Sequence, residues 1–252
     1  MKVVVYVLCY DDASEAQALQ RFQYPWAHVI RVGQSKYMEG QMYLSILEDR
    51  AEEWEDADFV GTLSWRAPDK IDIPDFDQLC PRMQGADVIG LLPLPQTLLE
   101  QACYRHPRFM EVWHPLLTEL GYTEEDITSD AIPAFMCNYW LATPAWMKRY
   151  CEFYKRAVHV LETHKGLQGA LWSYPGYGTH LSLEKRMQIY GTPYIPYHPF
   201  VQERLPCFWF WKEQAVIVLV PEVASKLWER EYGGVPKFVP QRPACRKPSV
   251  TE

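Results

Sequence analysis

Two cationic side chains and an aromatic ring follow a short apolar run in the first third of the chain. Residues 59–63 are apolar or β-branched apart from one glycine, and they are followed by Ser64, Trp65, Arg66 and, four positions later, Lys70. The run predicts a buried strand, so these side chains would stand at its carboxyl end, where open α/β sheets bind their ligands. Because arginine forks onto phosphate oxygens and lysine supplies a point charge, the pattern favours an anionic ligand that also carries a flat base or a sugar. A strand followed by a solvated Arg and Lys is the simpler interpretation.

A pair of carboxylates, Asp56 and Asp58, matches the D-x-D motif with which sugar-nucleotide transferases hold Mn²⁺ or Mg²⁺. Two carboxylates one residue apart at the end of a strand can both reach a hard cation that bridges a diphosphate. Here the pair precedes the strand at 59–63, whereas a working pair should follow it. We therefore expect that no cofactor is required and that Arg66 and Lys70 neutralise a diphosphate. A Mn²⁺ or Mg²⁺ site at Asp56 and Asp58 is the alternative.

Composition narrows the class of protein and of ligand. The chain has 252 residues, 48% of them hydrophobic, which is enough for a full core in one large domain. Its formal net charge of -7 argues against a broad nucleic-acid-binding surface. Ten Trp and sixteen Tyr are many, and although most such rings belong to the core, aromatic faces also pack against sugars and bases. The excess therefore hints at a carbohydrate or nucleotide site.

The cysteines and the amino-terminal run indicate the compartment. Seven scattered Cys without a C-x-x-C pattern predict neither a disulfide framework nor a zinc site. The apolar run at 3–8 is too short for a signal sequence or a membrane span, and acidic residues follow it. We expect a cytoplasmic protein without a membrane span.

The pattern of apolar runs predicts the elements that position these residues. A strand at 3–8, a helix at 13–22, a strand at 28–32, a helix at 39–54 and the strand at 59–63 alternate along the chain. This order predicts right-handed crossovers and an α/β fold with a Rossmann-like, mostly parallel central sheet flanked by helices. Further strands are predicted at 87–92, 133–142 and 215–220, and the longest helix at 144–164. A single domain would span 1–232, followed by a proline-rich, basic tail at 233–252.

Three blocks of sequence carry a resemblance to a known family. They are Asp-Phe-Val-Gly-Thr-Leu-Ser-Trp-Arg at 58–66, an Asn-led run with the helix after it at 138–153, and Pro-Phe-Val-Gln-Glu-Arg-Leu at 199–205. The first is similar to a strand of the form Y-I-G-L-x-x-Y-R and the third to the segment G-F-x-x-E-R-L. Both forms occur in bacterial and large-virus polysaccharide glycosyltransferases that lack a D-x-D in the usual place. The chain therefore resembles a glycosyltransferase of the GT-A, or nucleotide-diphospho-sugar, type.

The resemblance implies a site as well as a fold. A nucleotide-diphosphate sugar would be the donor and a glycan or another hydroxyl compound the acceptor, with the donor across the carboxyl ends of the first strands. If the reaction inverts the sugar, a carboxylate must deprotonate the acceptor hydroxyl. Asp130 is the first candidate and Glu203 the second, although Glu203 and Arg204 could equally form a structural ion pair. Substrate-binding residues would be Cys9, Tyr10 and Asp11 at the base and ribose, Ser64, Trp65, Arg66 and Lys70 at the diphosphate, and Asn138 and Tyr177 at the sugar and acceptor.

Two other classes of function remain open from the sequence. One is a carbohydrate- or nucleotide-binding module, or degenerate transferase, without catalysis. The other is a metal-dependent phosphohydrolase built on Asp11, Asp12, Asp56 and Asp58. The absence of a D-x-D-x-[TV] pattern after the first strand counts against the phosphohydrolase.

Overall fold

The computed structural model describes residues 1–176 and 181–233. Within them, six strands form a central sheet: β1 (Val3–Cys9), β2 (Ala27–Arg31), β3 (Phe59–Ser64), β4 (Val88–Gly90), β7 (Trp140–Ala142) and β8 (Ile217–Leu219). Their spatial order is β2-β1-β3-β7-β4-β8. The remaining two strands, β5 (Pro93–Thr97) and β6 (Pro133–Phe135), pair antiparallel in a small second sheet.

Most neighbours in the central sheet run parallel. β1 is parallel to both β2 and β3, and β4 is parallel to β8, whereas β7 runs antiparallel between β3 and β4. Every residue of β1 and of β3 is buried, as expected for continuous apolar runs in a sheet covered on both faces. The predicted α/β class, with a mostly parallel central sheet flanked by helices, is confirmed.

The helices cover this sheet and connect its strands. The first and third helices pack on β1, and the longest helix packs on β3 and β7. The helices are α1 (Asp12–Arg21), α2 (Ile46–Asp49), α3 (Ala51–Trp54), α4 (Phe76–Met83), α5 (Leu98–Arg105), α6 (Phe109–Glu119), α7 (Glu124–Ile127), α8 (Pro144–Thr163), α9 (Gln168–Leu171), α10 (Leu183–Tyr190), α11 (His198–Gln202), α12 (Leu205–Lys212) and α13 (Ser225–Tyr232). Among these helices of the described chain, none is long and apolar enough to cross a bilayer.

The single helix predicted at 39–54 is wrong. The chain there forms a 3₁₀ turn, Met38–Tyr43, followed by the short helices α2 and α3. The cause is a tertiary contact: a Cβ on Gly40 would lie 1.8 Å from the Tyr154 hydroxyl oxygen and 2.7 Å from Gln202 Oε1. Packing against α8 and α11 therefore fixes the turn and overrides the helical propensity of the segment.

The single strand predicted at 133–142 is wrong as well. β6 and β7 belong to different sheets, and the chain between them turns at Cys137 and Asn138, whose φ angles are 64° and 55°. Non-glycine residues adopt such left-handed angles at a cost, so surrounding contacts must hold the turn. The strand predicted at 87–92 is likewise shorter, because the chain leaves the central sheet after Gly90 and forms β5 from Pro93.

Candidate functional site

The carboxyl ends of β1 and β3 meet at one edge of the central sheet. The Trp65 amide donates a hydrogen bond to the Leu8 carbonyl over 3.1 Å, so the chain leaves both strands at the same level. Ser64 is buried there, and its hydroxyl accepts a hydrogen bond from the Arg66 amide over 3.2 Å. The edge at which the sequence placed a ligand is therefore formed as expected, and it fixes where the residues after each strand lie.

Lys70 turns its ammonium group into this edge. Lys70 directly follows the 3₁₀ turn Ala67–Asp69, which places it there. The Lys70 Nζ donates a hydrogen bond to Cys137 Sγ over 3.0 Å and lies 5.5 Å from the centre of the Tyr139 ring. Cys137 raises the pKa of Lys70 most, so Lys70 is a cation at neutral pH. Burial raises the pKa of the Cys137 thiol to about 11, which keeps that thiol neutral. Lys70 thus presents its charge beside a neutral thiol and a neutral phenol, with the carboxylates of Glu39 and Glu203 also near it.

The left-handed turn beside Lys70 is held from two sides. The Cys137 amide donates to the Glu203 carboxylate, and the Thr62 hydroxyl donates to the Asn138 carbonyl over 2.8 Å. The Asn138 side chain is buried, and its Oδ1 has no hydrogen-bond partner in the described part of the chain. Asn138 is therefore fixed by its backbone, while its amide oxygen keeps its bonding capacity.

Three tyrosines stand around the same edge with unused hydroxyl groups. The hydroxyls of Tyr10, Tyr139 and Tyr190 are buried and have no partner in hydrogen-bond geometry among the described residues. All three lie near Glu39, and the Tyr10 hydroxyl is close enough to its carboxylate, and the Tyr139 hydroxyl to Ser64, to affect the pKa of each tyrosine as a hydrogen-bonding neighbour, whereas Tyr190 has no such neighbour. Buried groups without a partner also occur in the core, for example Trp113 Nε1 and the Tyr150 hydroxyl, so it is their position beside Lys70 that makes these three hydroxyls candidates for contacts with a polar ligand. We call Tyr10, Glu39, Lys70, Tyr139 and Tyr190 the polar cluster.

Glu39, like Tyr139 and Tyr190, is a residue of this cluster that the sequence analysis did not single out. It lies in the 3₁₀ turn Met38–Tyr43, next to the left-handed Met38 and to Gly40, which α8 and α11 clamp. Burial raises the pKa of the Glu39 carboxyl group, and the nearby Tyr10 and Lys70 oppose that shift only in part. In a segment predicted to be one helix, with several other acidic residues, Glu39 did not stand out. Only the chain's contact with α8, more than a hundred residues later, places Glu39 at the edge.

Glu203, a predicted catalytic carboxylate, has structural partners. It accepts the Cys137 amide and lies 3.7 Å from the guanidinium of Arg204. Arg204 is fully buried and donates to the Phe200 carbonyl over 2.6 Å and to Gln101 over 2.5 Å. Glu203 therefore links a buried arginine to the turn that carries Asn138, beside Lys70.

Arg66 lies at the rim of the same edge. Its Nε donates to Asp69 over 3.3 Å, and Asp69 also pairs with Arg21 over 3.0 Å. The side chain is 40% exposed, and its guanidinium is 5.8 Å from the partly buried ring of Trp65. Arg66 therefore forms a surface ion pair, and it would have to leave Asp69 or share it to bind a diphosphate.

Of the residues predicted to border the base, only Tyr10 belongs to the polar cluster. Cys9 is fully buried in the core, and burial raises the pKa of its thiol to about 12. Asp11 is the N-cap of α1, and its carboxylate accepts a hydrogen bond from the Ser14 amide over 2.9 Å, which lowers the pKa of Asp11. Both positions thus have a role in the fold whether or not a nucleotide lies over them.

The other predicted acid, Asp130, stands apart from this cluster. It is exposed, in the turn that precedes β6, whereas the turn at Cys137 and Asn138 follows β6. The two positions lie at opposite ends of that strand. Tyr177, predicted to border the sugar and acceptor, falls outside the described residues.

The D-x-D pair occupies the amino end of β3, as its sequence position implies. Asp56 forms an ion pair with the side chain of Lys2, and Asp58 accepts the Lys2 amide over 2.7 Å. These carboxylates are at the opposite end of the strand from Ser64 and do not fit a cation that bridges a diphosphate beside Lys70. Among the described residues, no group of three or more His, Cys, Asp or Glu side chains is arranged to hold a metal ion.

A groove of about 390 Å³ lies between α8 and the segment of α2 and α3. It shares no residue with the polar cluster. Its charged lining is already paired, for example Lys148 with Glu55 over 2.7 Å and Lys155 with Glu48 over 2.8 Å. We therefore place the candidate site at the carboxyl edge of the sheet.

Comparison with known proteins finds a likeness in structure. No family model matches the chain, and no curated protein matches it. Among solved structures, the apo structure of the WbbM bifunctional glycosyltransferase is similar, with a TM-score of 0.47 and 9% sequence identity. The match covers 87% of this chain and 44% of that one, so this chain spans less than half the length of that protein. A likeness of this size does not by itself identify a function.

Proposed function

We propose that this protein is a glycosyltransferase that moves a sugar from a nucleotide-diphosphate donor to a glycan or another hydroxyl acceptor, with its site at the polar cluster. The sequence blocks that resemble GT-A enzymes and the mostly parallel sheet, which is consistent with a GT-A-like fold, support this reaction class. The observation that carries the proposal is the group of buried, unpartnered hydroxyls beside a cation at the carboxyl ends of β1 and β3.

The parts of the cluster suit the parts of such a substrate. Lys70 would contact the diphosphate, since an ammonium group neutralises charge that develops on the leaving oxygen. The hydroxyls of Tyr10, Tyr139 and Tyr190 and the Asn138 oxygen would bond sugar or ribose hydroxyls that water otherwise satisfies. Arg66 would complete the diphosphate contact from the rim, in competition with Asp69.

A carbohydrate-binding module without catalysis is the second candidate, and the charges at the site favour it. Lys70 faces two carboxylates, Glu39 and Glu203, and Arg66 is engaged with Asp69. Carboxylates accept hydrogen bonds from sugar hydroxyls but repel a diphosphate, so this balance suits a neutral glycan. Binding of a glycan without any turnover of a sugar nucleotide would support this candidate.

A thermal-shift screen separates the two candidates. The probes are UDP-, GDP-, dTDP- and CMP-sugars, each with and without Mn²⁺, followed by an assay for released nucleotide. A donor at a hundredfold excess over its dissociation constant should stabilise the native state by about 2.7 kcal/mol. At 252 residues that stabilisation corresponds to a shift of roughly 5–10 °C in the melting temperature.

Two matched lysine variants test whether the donor binds at the polar cluster. Lys70→Met should abolish the shift caused by the donor, because it removes the cation of the cluster. Lys165→Met should keep the shift, because Lys165 is exposed in the Lys165–Leu167 turn. A panel without any shift or turnover would refute the transferase, and equal shifts in both variants would move the donor site away from the polar cluster.

A further inference from the structure

The carboxylate best placed to act on an acceptor is one that sequence reasoning did not single out. We propose that Glu39 is the catalytic base of an inverting transfer, an inference that rests on the proposed function. A Glu39 oxygen takes the proton of the acceptor hydroxyl as that oxygen forms a bond to the anomeric carbon. The bond from this carbon to the diphosphate oxygen breaks at the same time, and its electron pair leaves with the diphosphate. The products are the glycoside, the nucleoside diphosphate and a protonated Glu39.

The backbone holds Glu39 in one place. Gly40 packs so closely on Tyr154 that no side chain fits there, and the Tyr154 hydroxyl is itself fixed by a hydrogen bond to Gln202 over 2.7 Å. A base must stay within hydrogen-bond reach of the proton it takes, so a clamped turn serves catalysis better than a mobile loop. Glu39 keeps part of its surface accessible, which leaves room for an acceptor hydroxyl.

The other carboxylates of the region are less available. Glu203 accepts the Cys137 amide and pairs with the buried Arg204, so protonating it would weaken contacts that hold the turn. Asp130 is exposed beyond the far end of β6. Glu39 forms no salt bridge within the described chain and faces the hydroxyl of Tyr10 and the ammonium of Lys70. It can therefore gain a proton without breaking a structural ion pair.

The groups around Glu39 set its protonation. Lys70 and Glu203 are the charged groups that face it, and they act in opposite directions. The neutral groups that face it are Cys137, Tyr10, Tyr139 and Tyr190 at the edge and Tyr43 and Tyr154 behind the turn. Burial raises the pKa of every one of these thiol and phenol groups, so none of them gains charge near neutral pH. Burial also raises the pKa of Glu39, which brings the carboxylate nearer to the strength of a useful base at neutral pH.

The test compares Glu39→Gln with the wild type in single-turnover reactions on whichever UDP-, GDP-, dTDP- or CMP-sugar the wild type turns over. We expect turnover to fall on the order of a hundredfold or more, with donor affinity measured by calorimetry no weaker than that of the wild type, because the change removes a negative charge near the diphosphate. The rate of the wild type should decline on the acid side as Glu39 is protonated, and that decline should be absent in Glu39→Gln. The anomeric configuration of the product should be inverted.

Stability supplies a readout that does not depend on turnover. Because the pKa of Glu39 is raised in the folded state, the folded protein binds this proton more tightly than the unfolded chain does. Ionised Glu39 therefore lowers the free energy of unfolding as pH rises. The difference in unfolding free energy between Glu39→Gln and the wild type should favour the variant more at pH 7 than at pH 4. Glu52→Gln, at an exposed site on α3, is the matched control and should change neither rate nor stability.

The outcomes separate the base from the function itself. A wild type that transfers no sugar refutes the proposed function and this inference with it. A wild type that transfers sugar with retention, or a Glu39→Gln variant with the wild-type rate and pH profile, refutes the base alone. If Glu39→Gln keeps the wild-type rate and pH profile, a hundredfold loss of turnover in Asp130→Asn would return the role of base to Asp130.

Discussion

Two buried histidines make the stability of the fold depend on pH, with a loss of stability in acid. His106 lies 4.3 Å from the ring of Phe200, and its Nδ1 donates a hydrogen bond to the Pro175 carbonyl over 3.2 Å, while His198 packs against the edge of Trp172 at 4.6 Å. Burial lowers the pKa of each from 6.5 to about 4. Between these two pH values, both histidine side chains are neutral in the folded protein but protonated in the unfolded chain.

The size of the effect follows from those values. The unfolded chain binds a proton at each site below pH 6.5 and the folded protein only near pH 4, so the stability from each neutral histidine is lost as the pH falls through this window. At pH 5, one such histidine costs about 2 kcal/mol relative to neutral pH. Because the unfolding free energy of a typical domain is only about 5–15 kcal/mol, protonation of both histidines would remove a large share of it.

The assay is urea unfolding at pH 7 and pH 5 on the wild type and on His198→Phe. The phenyl ring keeps the aromatic contact with Trp172 and removes the titrating group, so the variant should lose about 2 kcal/mol less between the two pH values than the wild type does. His159→Phe, at an exposed position on α8, should keep the pH dependence of the wild type. Equal losses in the wild type and His198→Phe would refute the idea that burial suppresses the charge on His198.

Three further predictions concern the edge of the sheet. Gly40→Ala would place a Cβ 1.8 Å from a tyrosyl oxygen, so it should cost about 1–3 kcal/mol in urea unfolding and lower turnover; an unchanged midpoint would show that the turn is not clamped. Joint replacement of Asp56 and Asp58 by Ala, or addition of EDTA, should leave turnover within a few fold, because these residues lie at the other end of β3; loss of activity that Mn²⁺ restores would give them the metal role after all. Arg66→Ala should weaken donor binding less than Lys70→Met does, because Asp69 already engages Arg66, and calorimetry showing the reverse order would place the diphosphate at the rim.

Local patterns in the sequence predicted the sheet well. Continuous apolar runs at the start of the chain and at 59–63 became β1 and β3, which lie side by side, so the position of Lys70 at the carboxyl edge could be foreseen. Such runs depend only on burial on both faces of a sheet, which a sequence records residue by residue.

Contacts between distant segments decided the rest. The segment at 39–54 has helical residues, but the contact of Gly40 with α8 breaks it and turns Glu39 toward Lys70. The run at 133–142 looks like one strand, but the Glu203 carboxylate and the Thr62 hydroxyl hold a left-handed turn in its middle. Neither partner is near in sequence, so no local pattern could report these contacts.

The most direct test of the site uses the unpartnered hydroxyl of Tyr190, with Tyr43 as its matched control. The Tyr43 hydroxyl is buried and lies 2.9 Å from the Thr62 hydroxyl, whereas that of Tyr190 is buried without a partner in the described chain. If the polar cluster binds the sugar nucleotide, Tyr190→Phe should keep the melting temperature and weaken donor binding by about 1 kcal/mol, or roughly fivefold. Tyr43→Phe should do the opposite, with a melting temperature about 2–4 °C lower and donor affinity unchanged. A Tyr190→Phe variant that binds every sugar nucleotide of the panel as tightly as the wild type would contradict the placement of the donor at this edge of the sheet.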